Sequence, residues 1–364
     1  MIKNCNLENL IQTNDKHDKS NKHDKHEKKQ LYGEVLTPFY FVNEILDNIP
    51  INIYKNPNCK WLDPGAGTGN FSISLYYKLL SALETIIQDD EERKNHIIQN
   101  MIFMVELRYE NIEKLKIIFG KDANIYHQDF LTFFPAITEN FDVIIGNPPF
   151  NFNGVKKVPT NIVSQKKADG HTIWIDFVKK SISLLKPKGI MSIFIPSIWL
   201  KPDKEKMYYY LLQYNIKNLK CFSNTETNQI FKGNAQTPSC YFILKKEESN
   251  RVINIYDREK KTFIDFSLKN HIPIPVTNIE VVNNFQNIMI NNNCPHIHVI
   301  KTNLPPKNIT ISLSKLGNHI YPNIRTRLLK DKELIIEYSD KPVIGYGKPK
   351  LVWANKMYGL PYLD

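Results

Sequence analysis

Trp61-Leu62-Asp63-Pro64-Gly65-Ala66-Gly67-Thr68-Gly69-Asn70-Phe71 constrains the fold of this chain more than any other stretch. It reads as a short strand, a glycine-rich turn and the start of a helix that runs on through Leu83. A turn of this kind opens the first unit of a doubly wound α/β sheet, with a binding site beyond the strand's C-terminal end. Gly65, Gly67 and Gly69 let backbone approach a ligand closely. Nucleotide, flavin and phosphate binders use similar loops. No Gly-Lys-Ser/Thr ending follows, which argues against a nucleoside-triphosphate loop, and the Asp63 carboxylate would repel a pyrophosphate. A cationic or zwitterionic ligand is expected.

The next two strands expected along the chain each end in an acid. Met101–Val105 runs into Glu106, and Asn124–Gln128 runs into Asp129-Phe130. Acids at the C-terminal ends of successive parallel strands are placed to reach a ribose diol and an adenine edge. A solvated acid is the simpler account of either one alone, and a weaker account of both in this order.

Asn147-Pro148-Pro149-Phe150 follows the apolar run Phe141–Gly146. Two consecutive prolines fix φ and carry no N–H, so the carbonyls here are free to accept hydrogen bonds. An exocyclic amine suits such a turn: the Asn147 side-chain oxygen and the Pro148 carbonyl would accept from the –NH₂ group while Phe150 lies flat against its ring. An isolated Pro-Pro pair is more often a rigid turn closing a strand; the glycine turn and the two acids upstream favour the chemical reading.

Taken together, Asp63–Gly69, Glu106, Asp129-Phe130 and Asn147–Phe150 resemble the S-adenosylmethionine-dependent amino-methyltransferases that modify adenine N6 in DNA. Gly33-Glu34-Val35-Leu36-Thr37-Pro38, followed by Phe41, Val42, Ile45 and Leu46, is similar to the segment that precedes the glycine turn in that family. The order of the parts resembles the gamma class, which includes many restriction-modification methyltransferases, and the resemblance spans residues 31–245. It implies a Rossmann-like, seven-stranded methyltransferase sheet, S-adenosylmethionine as cofactor and DNA as partner, double-stranded in the first instance. It further implies cofactor contacts from Thr37 (methionine part), Asp63, Gly65, Ala66, Gly67 and Gly69, from Glu106 (ribose hydroxyls), and from Asp129 with Phe130 (adenine). Asn147, Pro148, Pro149 and Phe150 would hold the target base once it has left its stack. Two positions depart from the pattern: Phe150 stands where Tyr is commoner, and Glu34 where Gln is frequent. Adenine in RNA, a glutamine amide in protein, and a catalytically silent nucleic-acid-binding remnant stay open as alternatives. Cytosine N4 fits less well, since enzymes of that group resemble Ser-Pro-Pro.

Charge supports a polyanionic partner. The chain of 364 residues has a net charge of +11. From Lys301 onward it holds eleven Lys and Arg against five Asp and Glu, more than half of the whole excess. A phosphate-tracking surface is the functional reading and a basic soluble face the plain one. Tyr321, Arg325, Arg327, Tyr346, Lys348, Lys350, Trp353 and Lys356 interleave aromatics with cations there, which resembles the start of a target-recognition domain.

Four parts are expected: a charged arm over 1–30, a catalytic domain over 31–245, a connecting segment over 246–295 with a helix from Ile279 to Ile290, and the recognition domain over 296–364. The recognition domain is expected to be truncated, because the chain stops in a segment that still reads as structured. Asn14–Lys29 has no apolar residue and is expected to be disordered. His17, His23 and His26 within it sit among Lys and Asp and read as a solvated arm, not a metal site. Five widely spaced cysteines, without a Cys-x-x-Cys, fit reduced thiols of an intracellular protein. No apolar run reaches membrane-spanning length, and none forms a signal peptide. The polar stretch Asn151–Gly170 is expected to form a flap over the target pocket. Helices are expected over His171–Leu185 and Pro202–Tyr214, strands over Ile190–Ile195, Leu219–Phe222 and Cys240–Leu244, the last closing an antiparallel hairpin at the sheet's edge.

Overall fold

The strand before the glycine turn is buried along its whole length, and the strands around it show why. In the computed structural model, which describes residues 35–135, 140–151, 172–202, 205–269, 272–291, 308–325, 335–349, 351–352 and 362–363, β1 (Trp61–Asp63) lies between β2 (Ile102–Glu106) and β4 (Phe141–Gly146), parallel to both. β3 (Asn124–His127) pairs parallel outside β2, and β5 (Leu185–Pro196) pairs parallel outside β4. The near-continuous apolar runs of β2, β4 and β5 are what a parallel sheet covered on both faces demands.

Alternation along those strands divides the core. Phe103, Val105 and Ile144 point to one face, where α4 (Trp174–Leu184) packs Trp174, Phe177, Val178 and Ile182. Ile102, Met104, Val143 and Ile145 point to the other, against Phe41, Val42, Ile45 and Leu46 of α1 (Phe39–Leu46), Leu75 and Leu79 of α2 (Asn70–Ala82), and Leu115 of α3 (Tyr109–Phe119).

β6 (Tyr214–Phe222) and β7 (Ser239–Glu248) extend the sheet beyond β5, giving the order β3-β2-β1-β4-β5-β7-β6 with β7 antiparallel to both neighbours. The sheet does not end at seven strands. β8 (Val252–Asp257) joins β6 and β9 (Thr262–Ser267) joins β8, making nine. The antiparallel strand expected at the edge therefore lies inside the sheet, because β6 finds a further partner in β8. The segment read as a connection, 246–295, carries β8, β9 and the whole of α6 (Ile279–Asn291), which belong with the sheet in one compact unit ending at Asn291.

Other boundaries differ for local reasons. Between the helix and strand expected there, Lys186–Gly189 forms an irregularity within β5: pairing steps from Phe141↔Leu185 to Val143↔Ile190, with Lys188 at φ 64°. The helix expected over Pro202–Tyr214 is one short turn, Met207–Leu211, because Tyr214 already pairs with Glu248 at the start of β6. Between β6 and β7, a box in which Ser223 and Glu226 each cap the other's backbone N–H opens α5 (Asn224–Ile230), whose C-terminus feeds the loop 231–238.

A second unit, 292–364, contains an antiparallel sheet of β10 (Ile311–Ser312), β12 (Ile335–Ser339) and β11 (Tyr321–Arg325), with β12 in the middle. The N-terminal arm with Gly33 and Glu34, the flap from Phe152 to Gly170, and Arg327, Lys350, Trp353 and Lys356 lie outside the described residues. Among the described residues, no helix is long and apolar enough to cross a membrane.

Candidate active site at the ends of β1, β2 and β4

Strand order reverses between β1 and β4: the chain builds outward through β2 and β3 and then returns to the other side of β1. A crevice forms at such a switch point, outside the C-terminal ends of the strands. Here it is a cavity of about 290 Å³. Thr37, Gly65, Ala66, Gly67, Glu106, Asp129, Phe130, Asn147, Pro148, Pro149 and Phe150 all line it, so segments far apart in sequence converge on one space.

The glycine turn is fixed from both sides. Ala66 N–H donates to the Val105 carbonyl at 3.1 Å, and Gly67 N–H donates to Glu106 Oε2 at 2.8 Å. The other carboxylate oxygen, Oε1, accepts from the Arg108 N–H at 2.8 Å and from Asn111 Nδ2 at 3.4 Å. Glu106 is buried, and these donors hold its charge in place at the cavity wall. Asp129 is exposed and caps the turn that follows it, its Oδ1 accepting from Leu131 N–H at 2.9 Å. Phe130 is buried, with its ring 5.1 Å from that of Phe177.

Two expected site residues do not reach the cavity. Asp63 faces the protein interior, where Ser72 Oγ donates to its Oδ2 at 3.0 Å, while its Oδ1 is a buried atom with no hydrogen-bond partner. Burial pushes its pKa up to about 7. A carboxylate behind the turn and off the cavity does not face a bound ligand, so Asp63 exerts little repulsion on a pyrophosphate, contrary to the expectation from sequence. Gly69 also lies behind the turn, at φ 93°, where an added Cβ would stand 2.8 Å from Leu115 Cδ2. It lets α2 start close against α3.

The opposite wall is the Pro-Pro turn. Gly146 has φ 150°, and a Cβ there would meet Asp63 Oδ1 at 3.3 Å and Pro64 Cδ at 3.4 Å, so β4 approaches the β1 turn too closely for a side chain. Asn147 Nδ2 donates to Thr37 Oγ1 at 3.0 Å. Asn70 Nδ2 donates to the Thr37 carbonyl at 2.8 Å, and Thr68 Oγ1 donates to Asn70 Oδ1 at 3.2 Å. Pro148 is buried, and the half-buried Phe150 ring stands 6.2 Å from that of Phe194.

Several lining residues carried no sequence signal. Ile173, Phe177 and Phe194 are core positions whose side chains also border the cavity, and Asn111 is a helical position. Nothing in the sequence of the loop 231–238 announces that Asn234, Ala235, Gln236 and Thr237 line the site. Among the described residues, no group of three or more His, Cys, Asp and Glu side chains could hold a metal ion.

Comparison with known proteins converges on the same region. Residues 69–231 match the model of the Eco57I restriction-modification methylase family. The chain is 24% identical over 278 residues to the type II restriction enzyme and methyltransferase RM.Eco57I of Escherichia coli, covering 58% of this chain and 28% of that enzyme. It is 24% identical over 343 residues to an uncharacterized adenine-specific methylase of Mycoplasma pneumoniae, covering 68% of this chain and 76% of that protein. Among solved structures, a nuclease-deletion mutant of the type ISP restriction-modification enzyme LlaGI, in complex with a DNA substrate mimic, superposes with a TM-score of 0.49 at 14% identity, covering 65% of this chain and 27% of that one. The chain thus spans little more than a quarter of the length of the Escherichia coli enzyme. Over residues 69–231, which hold Glu106, Asp129 and the Asn147–Phe150 turn, it is similar to the Eco57I restriction-modification methylase family.

Proposed function

We propose that this protein transfers a methyl group from S-adenosylmethionine to the N6 amine of an adenine in DNA. The observation that carries the reading is the convergence of two unlike walls on one cavity: Glu106, Asp129 and the glycine turn on one side, Asn147, Pro148 and Phe150 on the other.

The first wall fits the cofactor. Glu106, held by backbone donors, offers carboxylate oxygens to a ribose diol, Asp129 offers an acceptor to an adenine amine, and Phe130 supplies an apolar face. Two acids suit a ligand with a sulfonium better than one with a phosphate chain, and the Gly67 and Gly69 N–H groups, which donate to Glu106 and to the Ala66 carbonyl, are not left to hold a phosphate. When bound, S-adenosylmethionine would supply a methyl group already activated for attack: the S–CH₃ bond would break with its electron pair left on sulfur, an N–CH₃ bond would form, and the proton of the methylated amine would pass to solvent as the site reopens.

The second wall does the positioning. Asn147 Oδ1 and the Pro148 carbonyl accept from the two N6–H bonds, which favours the pyramidal nitrogen that attacks and acts mainly in the transition state. Phe150 stacks on the base, offsetting part of the few kcal/mol needed to extract it from a duplex. Catalysis on this account is largely alignment of amine and methyl in a space closed to water. The second unit, 292–364, with its excess of cations, would contribute duplex recognition.

Incubating the full chain with S-adenosylmethionine carrying a labelled methyl group and, in parallel, unmethylated DNA, RNA and a protein extract tests this. N6-methyladenine in digested DNA is the expected product. Label confined to RNA or to glutamine would keep the pocket chemistry and replace the partner, and bound cofactor with no label in any arm would make the chain a silent remnant.

A further inference from the structure

Three hydrogen bonds in series join the glycine turn to the Pro-Pro turn through residues of three separate segments. Thr68 Oγ1 donates to Asn70 Oδ1 at 3.2 Å, Asn70 Nδ2 donates to the Thr37 carbonyl at 2.8 Å, and Asn147 Nδ2 donates to Thr37 Oγ1 at 3.0 Å. The last bond spans 110 positions of sequence. Thr37 is 5% exposed, so the link is shielded from competing water.

The two ends of an asparagine side chain are nearly the same shape and opposite in hydrogen bonding. A target amine presents donors, so Asn147 is useful only with Oδ1 toward it; turned over, it would oppose donor to donor. With Oδ1 toward the amine, Nδ2 needs an acceptor of its own. Thr37 Oγ1 is that acceptor, with lone pairs available wherever its own proton points.

We propose that Thr37 is a positioning residue: its hydroxyl holds the Asn147 amide with the oxygen toward the target amine, and its carbonyl, through Asn70, ties that orientation to the cofactor turn. This rests on the methyl-transfer reading above. It gives Thr37 work on the target side of the reaction, in place of the methionine contact that the family resemblance implies. Filling the cofactor side would stiffen the turn that carries Thr68 and Asn70, and with it the acceptor that meets the base.

The test is a double-mutant cycle in the full chain, with Thr37→Val, Asn147→Ala and the pair, and with Thr37→Ser as the conservative variant. Thr37→Val keeps the shape and the carbonyl and removes the acceptor. It is expected to lower single-turnover methyl transfer to unmethylated DNA about three- to tenfold, the range of one hydrogen bond, with S-adenosylmethionine affinity unchanged and Thr37→Ser close to wild type. In the Asn147→Ala background the same change is expected to cost nothing further. Multiplicative losses, or weakened cofactor binding with turnover intact, would overturn the inference and return Thr37 to the cofactor. Thermal unfolding of the same four proteins reads the bond without turnover: additive Tm shifts would remove it. Coupled shifts in a wild-type protein that methylates no DNA would instead leave the link standing and overturn the function.

Discussion

Glu106 Oε2 and the Gly67 backbone N–H are joined at 2.8 Å, so the acid at the end of β2 sets the shape of the turn after β1. Its other oxygen takes the Arg108 N–H at 2.8 Å, and a single buried carboxylate thereby orders both loops on this side of the cavity. Glu106→Gln keeps the size but puts an –NH₂ group against one of these two donors. Hydrogen bonds to a charged group contribute roughly 1.5–3 kcal/mol, so S-adenosylmethionine binding is expected to weaken at least about tenfold. Isothermal titration reads this directly, and an unchanged Kd would move the ribose contact away from Glu106.

Gly69 and Gly120 separate backbone strain from collision. Both have positive φ, 93° and 89°, but a Cβ at Gly69 would stand 2.8 Å from Leu115 Cδ2 while one at Gly120 meets nothing within 4 Å. Replacement by Ala costs Gly120, whose ψ of 168° lies in a region essentially reserved to glycine, roughly 1–3 kcal/mol, and costs Gly69, left-handed at ψ 12°, about 1 kcal/mol. At Gly69 the overlap between α2 and α3 adds to it, for a total of roughly 2–4 kcal/mol. Thermal unfolding should show that the fall in Tm for Gly69→Ala shrinks in a Leu115→Ala background, where the colliding methyl is gone, while the fall for Gly120→Ala is the same in both backgrounds. An unchanged fall for Gly69→Ala would mean that Leu115 yields freely.

Much of this site was legible before any coordinates, because its chemistry is written in short local patterns. The glycine turn, the acids Glu106 and Asp129 and the Asn147–Phe150 turn each sit where a strand ends, and parallel strands bring their C-terminal ends to one side. What sequence patterns could not convey was direction. Asp63 and Gly65 are two positions apart, yet one faces Ser72 in the interior and the other lines the cavity. The nine-stranded extent of the sheet was hidden too, since β8 and β9 come from an Asn-rich stretch whose alternation is weak and whose register is set by pairing with β6 and with each other. Thr37 was singled out in the sequence for a contact with the methionine part of the cofactor; its link to Asn147 depends on a 110-residue closure that no local pattern records.

Asp63 should leave a signature in the pH dependence of stability. Burial raises its pKa to about 7, whereas an unfolded chain would show the ordinary value of about 3.9. Between those two values the folded protein keeps a proton that the unfolded chain releases, so this group's contribution to stability falls as pH rises through the window and is level above it. Asp63→Asn is neutral throughout and lacks that slope. The Tm of Asp63→Asn relative to wild type is therefore expected to climb from pH 5 to pH 8, with the other carboxylates cancelling in the comparison. A difference that is flat across the window would show that the carboxylate is ionised at the lower pH.

Phe150 and Asn147 share a wall of the cavity, but on the proposed reaction they act at different moments, and their variants should fail differently. Phe150 can only stack: its half-buried ring stands 6.2 Å from Phe194, and it carries no group able to meet a base edge. Stacking is worth about 1–3 kcal/mol per base, so Phe150→Ala is expected to lower kcat/KM for DNA roughly 5- to 150-fold, and Phe150→Tyr, which keeps the ring, much less. Asn147→Ala removes an acceptor used while the amine attacks, so its loss should fall on kcat, with S-adenosylmethionine bound as tightly as before. A DNA duplex carrying a mismatch opposite the target adenine separates the two further. The mismatch lowers the cost of extracting the base, so it should restore part of the rate lost by Phe150→Ala and none of that lost by Asn147→Ala. Equal rescue of both would place Asn147 in extraction of the base, and its oxygen would no longer be the acceptor on which methyl transfer depends.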